Sequence, residues 1–184
     1  MKTERNTSNV WLIIGLVVVA VIYRIIPHPF NITPLIAVSL FSGAKFQDKK
    51  LAFIIPIATL FISDILLAYM NNYSVFHNTI LFTYGSVMLI VLLGKFLNKE
   101  KSLNIAKTAG LSISSSLLFF IITNFGVWVM GNMYPMNFSG LVSCYVMAIP
   151  FNKFSWLGDL VFTIAIFGAY ELVAHKLIAA KAKS

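Results

Sequence analysis

Six apolar stretches, most of them about 20 residues long, divide this chain and leave only short polar connections between them. A helix rises about 1.5 Å per residue, so a stretch of about 20 apolar residues crosses the hydrocarbon of a bilayer. A chain built this way closes its backbone hydrogen bonds inside helices and sits in lipid. Charge agrees with that reading: of 184 residues 59% are hydrophobic and 11% charged, against roughly 25% charged in a soluble domain. Twenty charged residues cannot supply a polar shell for a soluble fold of this length, and the mean hydropathy of +0.86 leaves no place for a soluble domain.

The expected fold is all-α: one integral membrane domain over 1–184 with six transmembrane helices at about 10–26, 34–46, 51–70, 76–96, 105–130 and 154–178. Pro27 and Pro29 end the first, because proline disfavours helix in the residue before it. The second is short. Its 13 or so residues cover only about 20 Å, so it is expected to begin below the outer surface, shielded by neighbours. Between the last two spans, Gly140–Ile149 is too short to cross, is bracketed by Pro135 and Pro150, and reads as a short interfacial helix in a loop. The N-terminal run is read as an uncleaved anchor, since no small-x-small cleavage site follows it.

The net charge of +8 and a pI near 9.7 raise the question of nucleic acid, which requires basic residues gathered on a water-exposed face. They are not gathered so. With six spans and both termini cytoplasmic, 12 of the 14 basic residues fall on the cytoplasmic side, leaving only Arg24 and Lys153. That is the bias that orients membrane proteins, and it excludes the nucleic-acid reading. Five or seven spans would break the alternation.

Ionisable residues inside a span are costly, about 3 kcal/mol at its centre, and usually face the protein interior. Asp64 and Asn124 stand six residues before the outer ends of their spans, about 9 Å deep, Asp159 lies six residues after Lys153 at a similar depth, and Arg24 lies near the outer end of the first span. Together with Asn31 and Trp128 they make the candidate binding pocket for a small polar or aromatic molecule, an apolar body with a few convergent polar groups. An ion pair of Arg24 with one aspartate is the structural alternative. One arginine cannot neutralise two carboxylates, so the other aspartate is left to be protonated, hydrated or paired with a ligand. Asp159, in the run SWLGDL, reads equally as a helix N-cap.

Other features carry less. Cys144 alone excludes an internal disulfide and a multi-cysteine zinc site, and reads as buried filler. His28 and His77 are expected at the outer surface and solvated. Ala106, Gly110 and Ser114, at intervals of four, form a small-residue face expected to pack within the bundle. No nucleophile elbow, metalloprotease helix or Walker A loop occurs, so no catalytic residues, cofactor or metal are expected, and active transport would need an energising partner or an ion gradient.

The segments RIIPHPFNITPLIAVSLFSGAKF, PIATLFISDILLAY, SSLLFFIITNFGVWVMGNMYP and AIPFNKFSWLGDLVFTIAIFGAYEL together resemble an uncharacterised family of bacterial six-helix membrane proteins. The six spans, the aspartate late in the third and the long outer loop before the sixth also resemble the substrate-binding S components of energy-coupling-factor (ECF) vitamin transporters. That resemblance implies an S-component-like bundle in the bacterial inner membrane and a vitamin-class ligand captured from outside. It also implies a transmembrane coupling protein and two ATPases as partners. An ion- or proton-coupled carrier and a non-transporting membrane scaffold are the competing expectations.

Overall fold

A computed structural model describes residue 15 and residues 17–26, 32–97, 103–152 and 154–181, with side chains up to residue 173. Residues 10–14 and 16 of the expected N-terminal anchor, and Asn31, His28 and Lys153, lie outside the described residues. Every regular element among the described residues is helical: α1 (17–25), α2 (Leu35–Lys45), α3 (Lys49–Asn71), α4 (Ile80–Gly94, followed by a 3-10 turn Lys95–Leu97), α5 (Ile105–Met130), α6 (Phe138–Asn152) and α7 (Ser155–Lys181). Among the described residues four helical segments are long and apolar enough to cross a membrane: Lys49–Asn71, Ile80–Leu97, Ile105–Met130 and Ser155–Val173.

Local chemistry sets the ends. Asp48 caps α3 by accepting from the Lys50 and Leu51 amides at 2.8 and 3.4 Å, and Asn104 caps α5 through the Lys107 amide at 3.0 Å. Asn72 closes α3 in the left-handed region at φ 55°, a conformation that asparagine tolerates better than most residues.

The core is built around the shortest element. α2 buries 10 of its 11 residues, Leu35 through Ala44, and packs against α3, α4, α5 and α7. An apolar helix buried on all sides needs no polar face. At about 16 Å it is as short as expected and is covered by its neighbours. The closest approach is to α4: a Cβ at Gly43 would strike the Val91 carbonyl, and one at Gly94 the Leu40 carbonyl. Only two glycines at the crossing allow the backbones so near. Toward the far end of α2, Phe41 stacks edge-to-face on Phe167 and Tyr170, with ring centroids 5.3 Å apart in both pairs.

Contacts between helix ends give the directions. The end of α1 meets the late part of α3 through Arg24 and Asp64. At the opposite end of the bundle, Lys45 closing α2 reaches Glu171 late in α7 at 3.4 Å, and Lys95 after α4 lies over the Phe53 ring early in α3.

Three expectations are corrected. The fourth apolar segment becomes helical at Ile80 and not at Phe76, because residues 74–79 form polar turns held by Ser74 and Thr79. α6 extends over 15 residues and runs through Pro150; its ring sits two residues from the end, where few following residues depend on an unbroken ladder. The Ala106–Gly110–Ser114 face points away from the bundle: all three residues are exposed, and nothing lies within 4 Å of a Cβ added at Gly110. The face of α5 that packs inward carries Thr108, Ser112, Ser115 and Ser116 instead.

Candidate functional site

Two polar groupings lie at the end of the bundle where α1, α3 and α5 finish and α2, α4 and α7 begin. In the first, Arg24 on α1 donates to Asp64 Oδ1 at 2.8 Å and to Ser63 Oγ at 2.7 Å. Tyr84 on α4 donates to Asp64 Oδ2 at 3.0 Å. Both oxygens of this carboxylate are therefore satisfied, its charge is paired, and three helices are tied at one point. The Ser63 hydroxyl also reaches the Thr59 carbonyl of its own helix at 2.8 Å.

The second grouping joins α5 to α7. Asp159, 3% exposed, accepts from Ser116 Oγ at 2.6 Å, and one turn deeper the Ser112 and Thr163 hydroxyls meet at 3.0 Å. The spacing explains it: Ser112 and Ser116 on α5, and Ser155, Asp159 and Thr163 on α7, recur every four residues and so share a face. Asp159 stands in the second turn of α7 and reaches across to α5, an interhelical group and not a cap.

Above this ladder is a cavity of about 350 Å³, within the range of small-molecule sites. Its floor is the first turn of α2, with Leu35 and Ile36, and its polar wall is Ser116, Thr123, Asn124, Ser155 and Asp159. Arg24 and Thr83 close one side, and Phe151 and Asn152 of α6 another, while Phe119 and Phe120 supply an aromatic face. Ser155 is 6% exposed and its hydroxyl has no hydrogen-bond partner. Among the described residues Asp159 has no cationic partner, and no three histidine, cysteine or acidic side chains come together as metal ligands.

The chain belongs to DUF6580, a family of unknown function. The family model matches residues 4–181, nearly the whole chain. No curated protein and no solved structure matches it.

Of the six expected pocket residues, the structure brings Arg24, Asn124 and Asp159 to one cavity. Asp64 stands behind Arg24 and does not line it. Trp128 is turned to the loop after α5, where its indole N–H donates to the Pro135 carbonyl at 3.0 Å. Asn31 lies outside the described residues. Asn124 also binds its own helix, through the Phe120 carbonyl at 2.8 Å, and its carbonyl accepts from the Cys144 thiol at 3.4 Å. Burial pushes that thiol above its ordinary pKa. Sequence reading missed Tyr84, Ser116 and Ser155; the four-residue spacing from Ser155 to Asp159 was the available signal for the last.

Proposed function

We propose that this protein captures a small molecule from outside the cell as the membrane-embedded binding subunit of an uptake transporter, similar in plan to the S components of ECF vitamin transporters. It crosses the bacterial inner membrane six times with both termini cytoplasmic, and a transmembrane coupling protein with two ATPases drives the transport. One observation carries this reading: the 350 Å³ cavity holds a buried carboxylate without a cation and a buried hydroxyl without a partner among the described residues, which are features of a site that waits for a ligand. The alternating helix directions and the positions of the lysines support outward-facing access.

The test is purification by gentle extraction followed by mass spectrometry of bound small molecules and co-purifying proteins. A retained small molecule and an ATPase pair are expected, and Asp159→Asn is expected to abolish retention. Uptake driven by a pH gradient alone would favour the proton-coupled carrier, and unchanged binding and uptake in Asp159→Asn would refute the pocket.

A second reading, a non-transporting scaffold, is favoured by the outward Ala106–Gly110–Ser114 face. It requires a partner complex that disappears in Gly110→Leu while the fold is kept.

A further inference from the structure

The cavity does not balance its charge within its own walls. Among the described residues two charged side chains line it, Arg24 and Asp159. The guanidinium is paired with Asp64 at 2.8 Å, so its charge is already compensated. Asp159 has the Ser116 hydroxyl at 2.6 Å and only 3% exposure. An ionised carboxylate so placed is costly to keep unless a cation is brought to it.

The other groups facing Asp159 do not supply that cation. From α5 come Ser116, Thr123 and Asn124, from α4 Thr83 and from α6 Asn152, all neutral. The first turn of α2 contributes a fixed backbone dipole worth about half a positive charge, which leaves the carboxylate the stronger field. On α7 itself, one turn before Asp159, the Ser155 hydroxyl is buried and unpartnered. Of two neighbouring groups on one face, the hydroxyl thus lacks a partner and the carboxylate, held by Ser116 alone, lacks a positive charge.

A protonated amine supplies both needs, with one N–H to the carboxylate and another to the hydroxyl. A ligand hydroxyl or amide would satisfy the hydrogen bonds and leave the charge, while an anion would add a like charge. A bare ion fills a small part of about 350 Å³, and the walls contributed by Phe119, Phe120 and Phe151 suit a carbon body, with ring faces that attract a cation. We infer that the molecule captured here is a small organic cation, a protonated amine on an apolar or aromatic body, with its ammonium lodged between Asp159 and Ser155. The inference rests on the capture reading above and names its ligand class.

The experiment uses the full chain in lipid nanodiscs and three probes of one shape: tryptamine, its alcohol indole-3-ethanol, and the anion indole-3-acetate, which represents the rival of an anion held by the α2 N-terminus and Arg24. Binding is measured by calorimetry, and small molecules extracted from the purified protein are identified by mass spectrometry. Tryptamine is expected to bind roughly tenfold or more tightly than the alcohol, the acetate not to bind, and a co-purified molecule to carry a basic nitrogen. Asp159→Asn should erase the preference for the amine. Ser155→Ala, which removes a hydroxyl that bonds to nothing in the protein, should keep the fold and weaken tryptamine several-fold. Tighter binding of the acetate or alcohol, an amine preference that survives Asp159→Asn, or a co-purified ligand without basic nitrogen overturns the inference and leaves capture standing. No probe bound and no molecule co-purified overturns both.

Discussion

At the Arg24–Asp64 pair, removing one partner strands the other among apolar helices. Arg24→Met leaves Asp64 with only the Tyr84 hydroxyl, and a loss of about 3 kcal/mol is expected, read as a lower unfolding midpoint in detergent. Asp64→Asn should recover part of that loss in the Arg24→Met background, because the stranded charge is gone; a fully additive double variant would show that the pair does not couple. The hydroxyls divide more finely. Ser116→Ala deprives a buried carboxylate of its donor and should cost about 1–2 kcal/mol, whereas Ser155→Ala should change stability by no more than about 0.5 kcal/mol, both measured by the same unfolding assay. The ionisable residues were legible in the sequence because charge inside an apolar run has so few explanations. Which aspartate takes the arginine was not, since that depends on how α1, α3 and α7 are rotated. The hydroxyls were silent for another reason: Ser39, Thr59, Ser114 and Ser143 all bond to their own helix carbonyls, the ordinary fate of a hydroxyl in a helix, and the four-residue spacing to Asp159 tells which face Ser155 shares but not that its hydroxyl is left without a partner.

Among the elements, α2 decides the bundle, and its crossing with α4 is where a single methyl group matters most. Gly43→Ala and Gly94→Ala each place a Cβ against backbone of the other helix, which cannot rotate aside as a side chain can. Each is expected to cost about 2–3 kcal/mol through displaced helices, visible as reduced yield of folded protein and a lower unfolding midpoint. Gly110→Ala is the control: with open space around it, it should be neutral or slightly stabilising, since alanine is the better helix former by up to about 1 kcal/mol. The opposite ranking would mean that α2 and α4 do not cross where described. Spacing alone points to Ala106, Gly110 and Ser114 because a four-residue interval of small residues looks the same on either face of a helix. The Gly43–Gly94 contact lies between residues 51 apart in the chain, beyond any local pattern. Segment lengths are readable from apolar runs, α5 to the residue, whereas Pro150 reads as a helix end in the sequence although α6 continues through it to Asn152.

For the whole molecule, the short α2 explains why the cavity exists. Hydrocarbon is about 30 Å thick, and a helix of about 16 Å leaves roughly half that depth unfilled in the centre of the bundle. The hollow lies over the first turn of α2, where Leu35 and Ile36 form its floor, and longer helices wall it. It lies at the end of the bundle that carries Arg24, Asp64 and Asp159, and the proposed capture needs that end to face outward. The opposite end carries Lys45, Lys49, Lys50, Lys95 and Lys107 near helix termini, and the proposed topology, following the positive-inside bias, puts that end in the cytoplasm. Single cysteines at exposed sites test this arrangement in a Cys144→Ala background: Ile26→Cys after α1, Gln47→Cys between α2 and α3, and Ser74→Cys between α3 and α4. A membrane-impermeant maleimide applied to intact cells should label Ile26→Cys and Ser74→Cys, and should reach Gln47→Cys only after permeabilisation. Labelling of Gln47→Cys alone from outside would invert the molecule and put the cavity on the cytoplasmic side, where capture from outside is impossible. Labelling of all three from outside would mean that neither α2 nor α3 crosses, and the six-span plan would fall with the vestibule it creates.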